Sequence, residues 1–258
     1  MKRLLVATLV VGSALPAFAD APTGPQIMEK VENRDEGKDQ IAKVTLEIHP
    51  KQGSVRQRQL VIVRKEYPDV TKLATFFLAP TDVRGAAFLA FDKKSGDDQR
   101  WLYLPTIGQV RRLAAESNRQ SFFNSDFVYE DLTNRDPDLD DHKLVGSQKV
   151  DEWECWVVES TPKNARGLEF VKYKTWVWKT ADLPVRQEYF DSAGKVVRRG
   201  QLASMKQIQG IWTWHQGTMT NLVTGSVTKL QMSEVKYNTN IPDERFAEAQ
   251  LARGIPKE

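Results

Sequence analysis

From residue 42 onward the chain is written as a succession of short alternating runs, each closed by turn residues. In Ala42 to His49, Val44, Leu46 and Ile48 face one way and Lys43, Thr45 and Glu47 the other. That period of two marks a half-buried strand. Pro50-Lys51-Gln52-Gly53 then turns the chain, and further strand-like runs follow: Val55 to Tyr67, Val70 to Ala79, Ala86 to Phe91, Arg100 to Leu104 and Gln109 to Leu113. A polar middle from Ala114 to Asp140 interrupts them. Strands resume over Lys143 to Val150, Trp153 to Ser160, Phe170 to Lys179, Pro184 to Asp191, Val196 to Ile208, Trp212 to Leu222 and Ser226 to Tyr237. Ser192-Ala193-Gly194 and Thr224-Gly225 read as hairpin turns. An antiparallel sheet with about a dozen strands does not stay flat. It either closes on itself and loses its edges, or curls part-way and leaves a concave face that something must cover. Three short helices are expected: Pro25 to Arg34, a helix capped by Ser125 or Asp126 and running to Leu132 with Val128 and Leu132 paired, and Asp243 to Leu251.

The start of the chain is not written like the rest. Lys2 and Arg3 precede an apolar run from Leu4 to Leu15, and Ala17-Phe18-Ala19 ends it with small residues where a signal peptidase reads. Residues 1–19 are therefore expected to be a secretory signal peptide cleaved after Ala19, leaving 20–258 as one domain. The formal charge of the whole chain is +3. Losing Lys2 and Arg3 brings the remainder close to neutral, which leaves no global field to attract nucleic acid. Cys155 is the single cysteine, so neither an internal disulfide nor a thiolate metal cluster can form. Its run, Trp153 to Val158, is strand-like, and a buried structural thiol is expected.

No catalytic set emerges. The three histidines, His49, His142 and His215, have no partners at metal-ligand spacing. No Gly-x-Ser-x-Gly elbow and no phosphate-cradling glycine loop is present. The sequence thus predicts a protein that is not an enzyme, with no catalytic residues, cofactor or metal. Aromatic residues are plentiful, with seven Trp and eleven Phe. Trp176 and Trp178, like Trp212 and Trp214, fall on one face of a strand, where they either fill the core or line a cavity for an apolar ligand.

The most specific part is central. It reads Trp101-Leu102-Tyr103-Leu104-Pro105, then Arg111-Arg112, then Ser121-Phe122-Phe123-Asn124-Ser125-Asp126-Phe127-Val128-Tyr129-Glu130-Asp131-Leu132. This combination resembles the LolA-like family of outer-membrane lipoprotein-sorting proteins, and weaker similarity extends from about Val44 to about Leu251 by strand pattern. The resemblance implies a mostly β (α+β) fold: an unclosed, strongly curved antiparallel β-barrel of about eleven strands, with short helices covering the concave side. It also implies a periplasmic protein that carries the acyl chains of lipoproteins or other lipids for outer-membrane sorting. Asn124 stands where the family commonly has Gly, and Asn tolerates the left-handed backbone better than most residues.

Within that frame the Ser125–Leu132 helix is expected to act as a lid. Trp101, Tyr103, Phe122, Phe123, Phe127, Tyr129, Trp212 and Trp214 are the candidate lipid-facing residues. Arg111 and Arg112 are expected to latch the lid through Glu130 and Asp131. The partners expected are acyl chains, with an inner-membrane transporter or an outer-membrane protein as a second partner, and a monomeric state. The alternative function is a non-enzymatic adaptor that docks on such a transporter or outer-membrane complex and binds protein rather than lipid.

Overall fold

The computed structural model describes residues 21–114, 117, 119–165 and 168–255; the signal peptide expected at residues 1–19 lies outside these residues. The strands are β1 (Asp39–His49), β2 (Arg56–Glu66), β3 (Val70–Ala79), β4 (Ala87–Lys93), β5 (Gln99–Leu104), β6 (Gln109–Arg112), β7 (Asp140–Val150), β8 (Trp153–Pro162), β9 (Lys172–Trp178), β10 (Leu183–Phe190), β11 (Val196–Ala203), β12 (Lys206–Ile208), β13 (Ile211–Thr213), β14 (Gln216–Asn221) and β15 (Ser226–Tyr237). Thirteen of them form one antiparallel sheet in the order β6-β5-β4-β3-β2-β1-β15-β14-β11-β10-β9-β8-β7. The first and last strands meet in the middle through the β1–β15 pairing. The edges are β6 and β7, neighbours in sequence that do not pair, so the sheet curls without closing.

The remaining two strands correct the sequence reading. Val196 to Ile208 and Trp212 to Leu222 are not continuous. Ser204, at φ 55°, ends β11, and β12 and β13 form a separate small hairpin around Gln209 and Gly210, at φ 54° and 86°. Positive φ at both central residues suits the right-handed twist of a two-residue hairpin. Its tip is pinned to the end of β15: the Tyr237 N–H donates to Gln209 Oε1 at 2.8 Å, and Gln209 Nε2 donates to the Tyr237 carbonyl at 3.0 Å.

Register assigns the two faces of the sheet. Leu60, Phe77, Ala86, Phe88, Val44, Leu46 and Met232 share one face and one apolar cluster with Phe122 and Tyr129. The segment carrying Phe122 and Tyr129 touches β3, β4, β15 and β11 together. So short a segment can do this only on the inner face of the curl. Helix α1 (Gly24–Glu32) lies on the same face, packing Ile27, Met28 and Val31 on Val158 and Val177. Thr23 caps it reciprocally: its N–H donates to Gln26 Oε1 at 2.9 Å, and its hydroxyl accepts from the Gln26 N–H. Gly24 is required there, because a Cβ would stand 2.7 Å from the His142 carbonyl on β7.

The C-terminal helix is a second correction. A 3₁₀ turn at Asp243–Phe246 and α2 (Glu248–Arg253) lie on the outer face, not the concave one. Phe246 and Leu251 pack there against Val61, Val63, Phe76, Leu89 and Trp101. The approach is fixed by buried Asp39, whose carboxylate accepts from the N–H groups of Thr239 and Ile241 at 2.8 and 3.2 Å. Leu251 is fully buried. Leu251→Ala is expected to lower unfolding free energy by about 2–5 kcal/mol in a denaturant titration, the range for deleting a buried leucine.

Candidate functional site

The open topology dictates what covers the inner face. The chain must return from edge strand β6 to edge strand β7, and Ser121–Leu132 lies on that return path across the curl. It is not the helix expected from Ser125 to Leu132. A 3₁₀ turn at Phe122–Asn124 and another at Tyr129–Leu132 flank extended backbone, and Val128 has φ −104° and ψ 164°. Asp126 does not cap a helix. It is tied instead to the sheet: its N–H donates to Thr228 Oγ1 at 2.9 Å, Thr228 Oγ1 donates to its carboxylate at 2.7 Å, and the Ser226 hydroxyl donates to the other oxygen. Phe122 N–H donates to the Phe127 carbonyl at 2.7 Å, closing a small loop. At its tip Phe123 and Asn124 have φ 50° and 60°, so Asn124 does occupy the left-handed backbone.

The aromatic side chains of this segment fill the curl. Phe123 stacks on Phe77 with centroids 4.1 Å apart, Tyr129 on Phe88 at 5.2 Å, and Phe122 sits among Phe77, Phe88 and Tyr129 at 5.6–6.0 Å. Phe122 and Tyr129 are buried, while Phe123 and Phe127 are half-buried. Four of the candidate lipid-facing residues are thus brought together. Trp214 joins the rim of the same cluster. The others lie elsewhere. Trp101 and Tyr103 belong to the outer-face cluster under α2, because β5 presents Leu102, Leu104 and Arg100 inward and the alternating positions outward. Trp212 is 37% exposed and stacks on Trp178 at 4.7 Å, apart from Trp214.

The latch also differs from expectation. Arg111 and Arg112 point to opposite faces of β6 and are exposed. Asp131 is paired instead with Arg198 of β11 and accepts from the Val128 N–H at 2.8 Å. Glu130 is paired with Arg135 at 3.0 Å. Arg135 also grips buried Asp140 through Nε at 2.7 Å and Nη2 at 2.8 Å, and the Tyr173 hydroxyl donates to the same carboxylate at 2.6 Å. Burial pushes the Asp131 carboxyl up, against the opposing pull of Arg198 and the Val128 N–H. The inner face is therefore apolar where the crossing segment lies on β3 and β4, carries a second apolar patch under α1 on β8 and β9, and holds these ion pairs on β7 and β11. No sequence signal reveals Arg198 or Arg135 as these partners, since nothing local says which strand face turns inward.

Two clefts open beside the segment at one end of the sheet. One of about 360 Å³ is lined by Ile48, Lys51, Arg56, Asn124, Asp126 and Asn221. Its neighbour, about 430 Å³, is lined by Val55, Arg56, Arg58, Ala79, Pro80 and Asp82. Among the described residues no cluster of His, Cys, Asp and Glu is arranged to hold a metal, and no helix is long and apolar enough to cross a membrane. His142 is bound to Ser160 Oγ and the Pro137 carbonyl at 2.7 and 2.9 Å. Cys155 is buried, and burial pushes its thiol up to about 11, which suits a structural role.

Two unpaired edge strands bridged across an inner aromatic face define a curled, unclosed barrel. A family model described as "uncharacterized protein" matches residues 69–253. The chain belongs to that family. A DUF1329 family protein from Desulfovibrio piger is 28% identical over 88% of this chain and 97% of its own, with a TM-score of 0.83. A protein domain from Vibrio parahaemolyticus, described as outer membrane lipoprotein-sorting, is 29% identical over 89% and 98%, also at 0.83. A LolA superfamily protein from Nitrosomonas europaea, 20% identical over 89% and 100% at 0.69, shares the fold. No curated protein matches the chain.

At the far end of the inner face, Asp92 meets Asp98 beside Arg100. Burial and the neighbouring Asp98 charge raise its carboxyl to about 7, against the pull of Arg100. A carboxyl raised on folding stabilises the fold at low pH, and that contribution is lost as pH rises through about 7. Asp92→Asn is therefore expected to raise the melting temperature at pH 8 and leave it nearly unchanged only below about pH 4, where the carboxyl is protonated in both states. A variant that melts lower at pH 8 would contradict this reading.

Proposed function

We propose that the protein is a periplasmic carrier, secreted through the 1–19 leader and acting as a single 20–258 domain and monomer. It shelters the acyl chains of a lipid or lipoprotein against the inner face now occupied by Phe122, Phe123 and Tyr129. The observation that carries the reading is that the aromatic part of this face, on β3 and β4, is covered by an irregular 3₁₀ and extended segment tied to the sheet by Asp126 and Asp131, and not by a packed α-helix. The likeness to a lipoprotein-sorting domain at 29% identity supports the same reading. Cargo would pass between this carrier and a membrane transporter or an outer-membrane partner.

Magnitudes make the exchange balanced. Lifting buried Phe122 and Tyr129 and half-buried Phe123 out costs at most about 1.5–3 kcal/mol each, and each acyl methylene buried in their place returns about 0.8 kcal/mol. Break-even therefore falls at about six to eleven methylenes. Short chains should leave the segment seated, and chains of about fourteen carbons or more should displace it.

Phe127→Trp reports on this directly. Its fluorescence is expected to shift on titration with long-chain but not short-chain fatty acids, and native mass spectrometry of protein purified from its own periplasm should find a co-purifying lipid. Asp126→Ala, which frees the segment from Thr228 and Ser226, is expected to tighten long-chain binding about tenfold or less, the effect of about 1 kcal/mol of lost attachment. An unchanged Trp signal while lipid demonstrably binds would remove the segment from the mechanism.

A further inference from the structure

The antiparallel registers place the turns β1–β2, β3–β4, β5–β6, β10–β11 and β14–β15 at one end of the curl. Large apolar side chains are exposed at this end. Val55 is 53% and Val223 69% exposed at the tips of β1–β2 and β14–β15, with Leu78 and Leu222 beside them. Ile107 and Val171 lie at the same end, whereas Trp212 is the large exposed apolar side chain of the opposite end among the described residues. Scattered exposed apolar residues need no explanation, but their collection on neighbouring turns does.

Cations are interleaved with them. Lys51 and Arg56 line the cleft beside Asn124, and Arg84 donates from Nε to the Leu78 carbonyl at 3.2 Å. In the adjoining cleft the Arg58 side chain is 6% exposed, pairs with Asp82 at 3.0 Å and keeps a buried Nε with no partner. The tip of the crossing segment opens here too, where Arg56 reaches the Asn124 carbonyl.

We propose that this end of the barrel docks on the surface of an anionic phospholipid bilayer. Val55, Leu78, Leu222 and Val223 enter the headgroup boundary, and Lys51, Arg56 and Arg84 pair with lipid phosphates. Apolar tips carried on separate turns, with cations between them, fit a soft charged interface, which takes up both kinds of group without a matching contour. Docking would set the cleft beside Asn124 against the bilayer, so a chain could leave the membrane without crossing water. The inference goes beyond the carrier reading and is tested separately from it.

The test is co-sedimentation of the 20–258 protein with phosphatidylcholine vesicles and with vesicles containing about one quarter phosphatidylglycerol. Binding is expected with the anionic vesicles and should fall as salt is raised. Lys51→Glu with Arg56→Glu should reduce partitioning about twenty-five-fold or more, at roughly fivefold per cation removed. Val55→Ser with Val223→Ser should reduce it about tenfold on both vesicle types, and Trp212→Ser at the opposite end should leave it unchanged. Circular dichroism melts confirm that each variant is folded. Fatty-acid uptake without vesicles separates the two readings: Val223→Ser, at a position outside both clefts, is expected to weaken vesicle binding and keep uptake. Wild-type protein that ignores anionic vesicles, or end variants that bind like wild type, would overturn the proposal whether or not uptake is seen.

Discussion

Two unpaired edges, β6 and β7, organise this molecule. They are consecutive in the chain yet stand at opposite ends of a thirteen-stranded sheet. The connection between them must therefore cross the curl, and the inner side offers the shorter path. A closed barrel would have satisfied both edges by hydrogen bonding and needed no such crossing. Here the opening is bridged by side chains instead, and the bridge is made from Ser121–Leu132. The aromatic cluster, the Asp126 attachment to β15 and the Asp131–Arg198 pair all follow from that crossing.

The bridge combines two kinds of interaction with different consequences. Phe122, Phe123 and Tyr129 supply apolar burial that a hydrocarbon chain of sufficient length can replace in kind. Asp131–Arg198 and Arg135–Asp140 cannot be replaced so: a buried ion pair adds little net stability over apolar packing, yet breaking one side of it costs about 3–5 kcal/mol. The ion pairs thus hold the base of the segment on β11 and β7, while the aromatic cluster is exchangeable. This division gives the segment a fixed end near Asp131 and a releasable end near Phe123 and Asn124, where the clefts lie.

Much of this architecture was legible in the residues. The alternation of Val44, Leu46 and Ile48, repeated in run after run, led to the curled sheet, and the central aromatic motif marked the covering segment. Four of its aromatic residues do meet on the inner face. What failed did so for definite reasons. Trp101 and Tyr103 lie on the outer face, which the residues did not reveal because alternation divides a strand into two faces without saying which is inside, and here both faces are buried, one under Phe122 and one under Leu251. The helix expected through Leu132 gave way because Asp126 found Thr228, distant in sequence, in place of a cap. Arg198 carried no local signal at all, since its partner is brought to it by the topology alone.

Amide hydrogen exchange with and without a bound long-chain fatty acid tests the central claim most directly. In the ligand-free protein the amides of Phe122 and Asp126, bonded to the Phe127 carbonyl and Thr228 Oγ1, should be protected. On binding, both should exchange faster while Val63 and Leu89, on the outer face, stay unchanged. Saturating ligand with no change at Phe122 and Asp126 would contradict the account, because the chain would then be held somewhere that does not require the crossing segment to move.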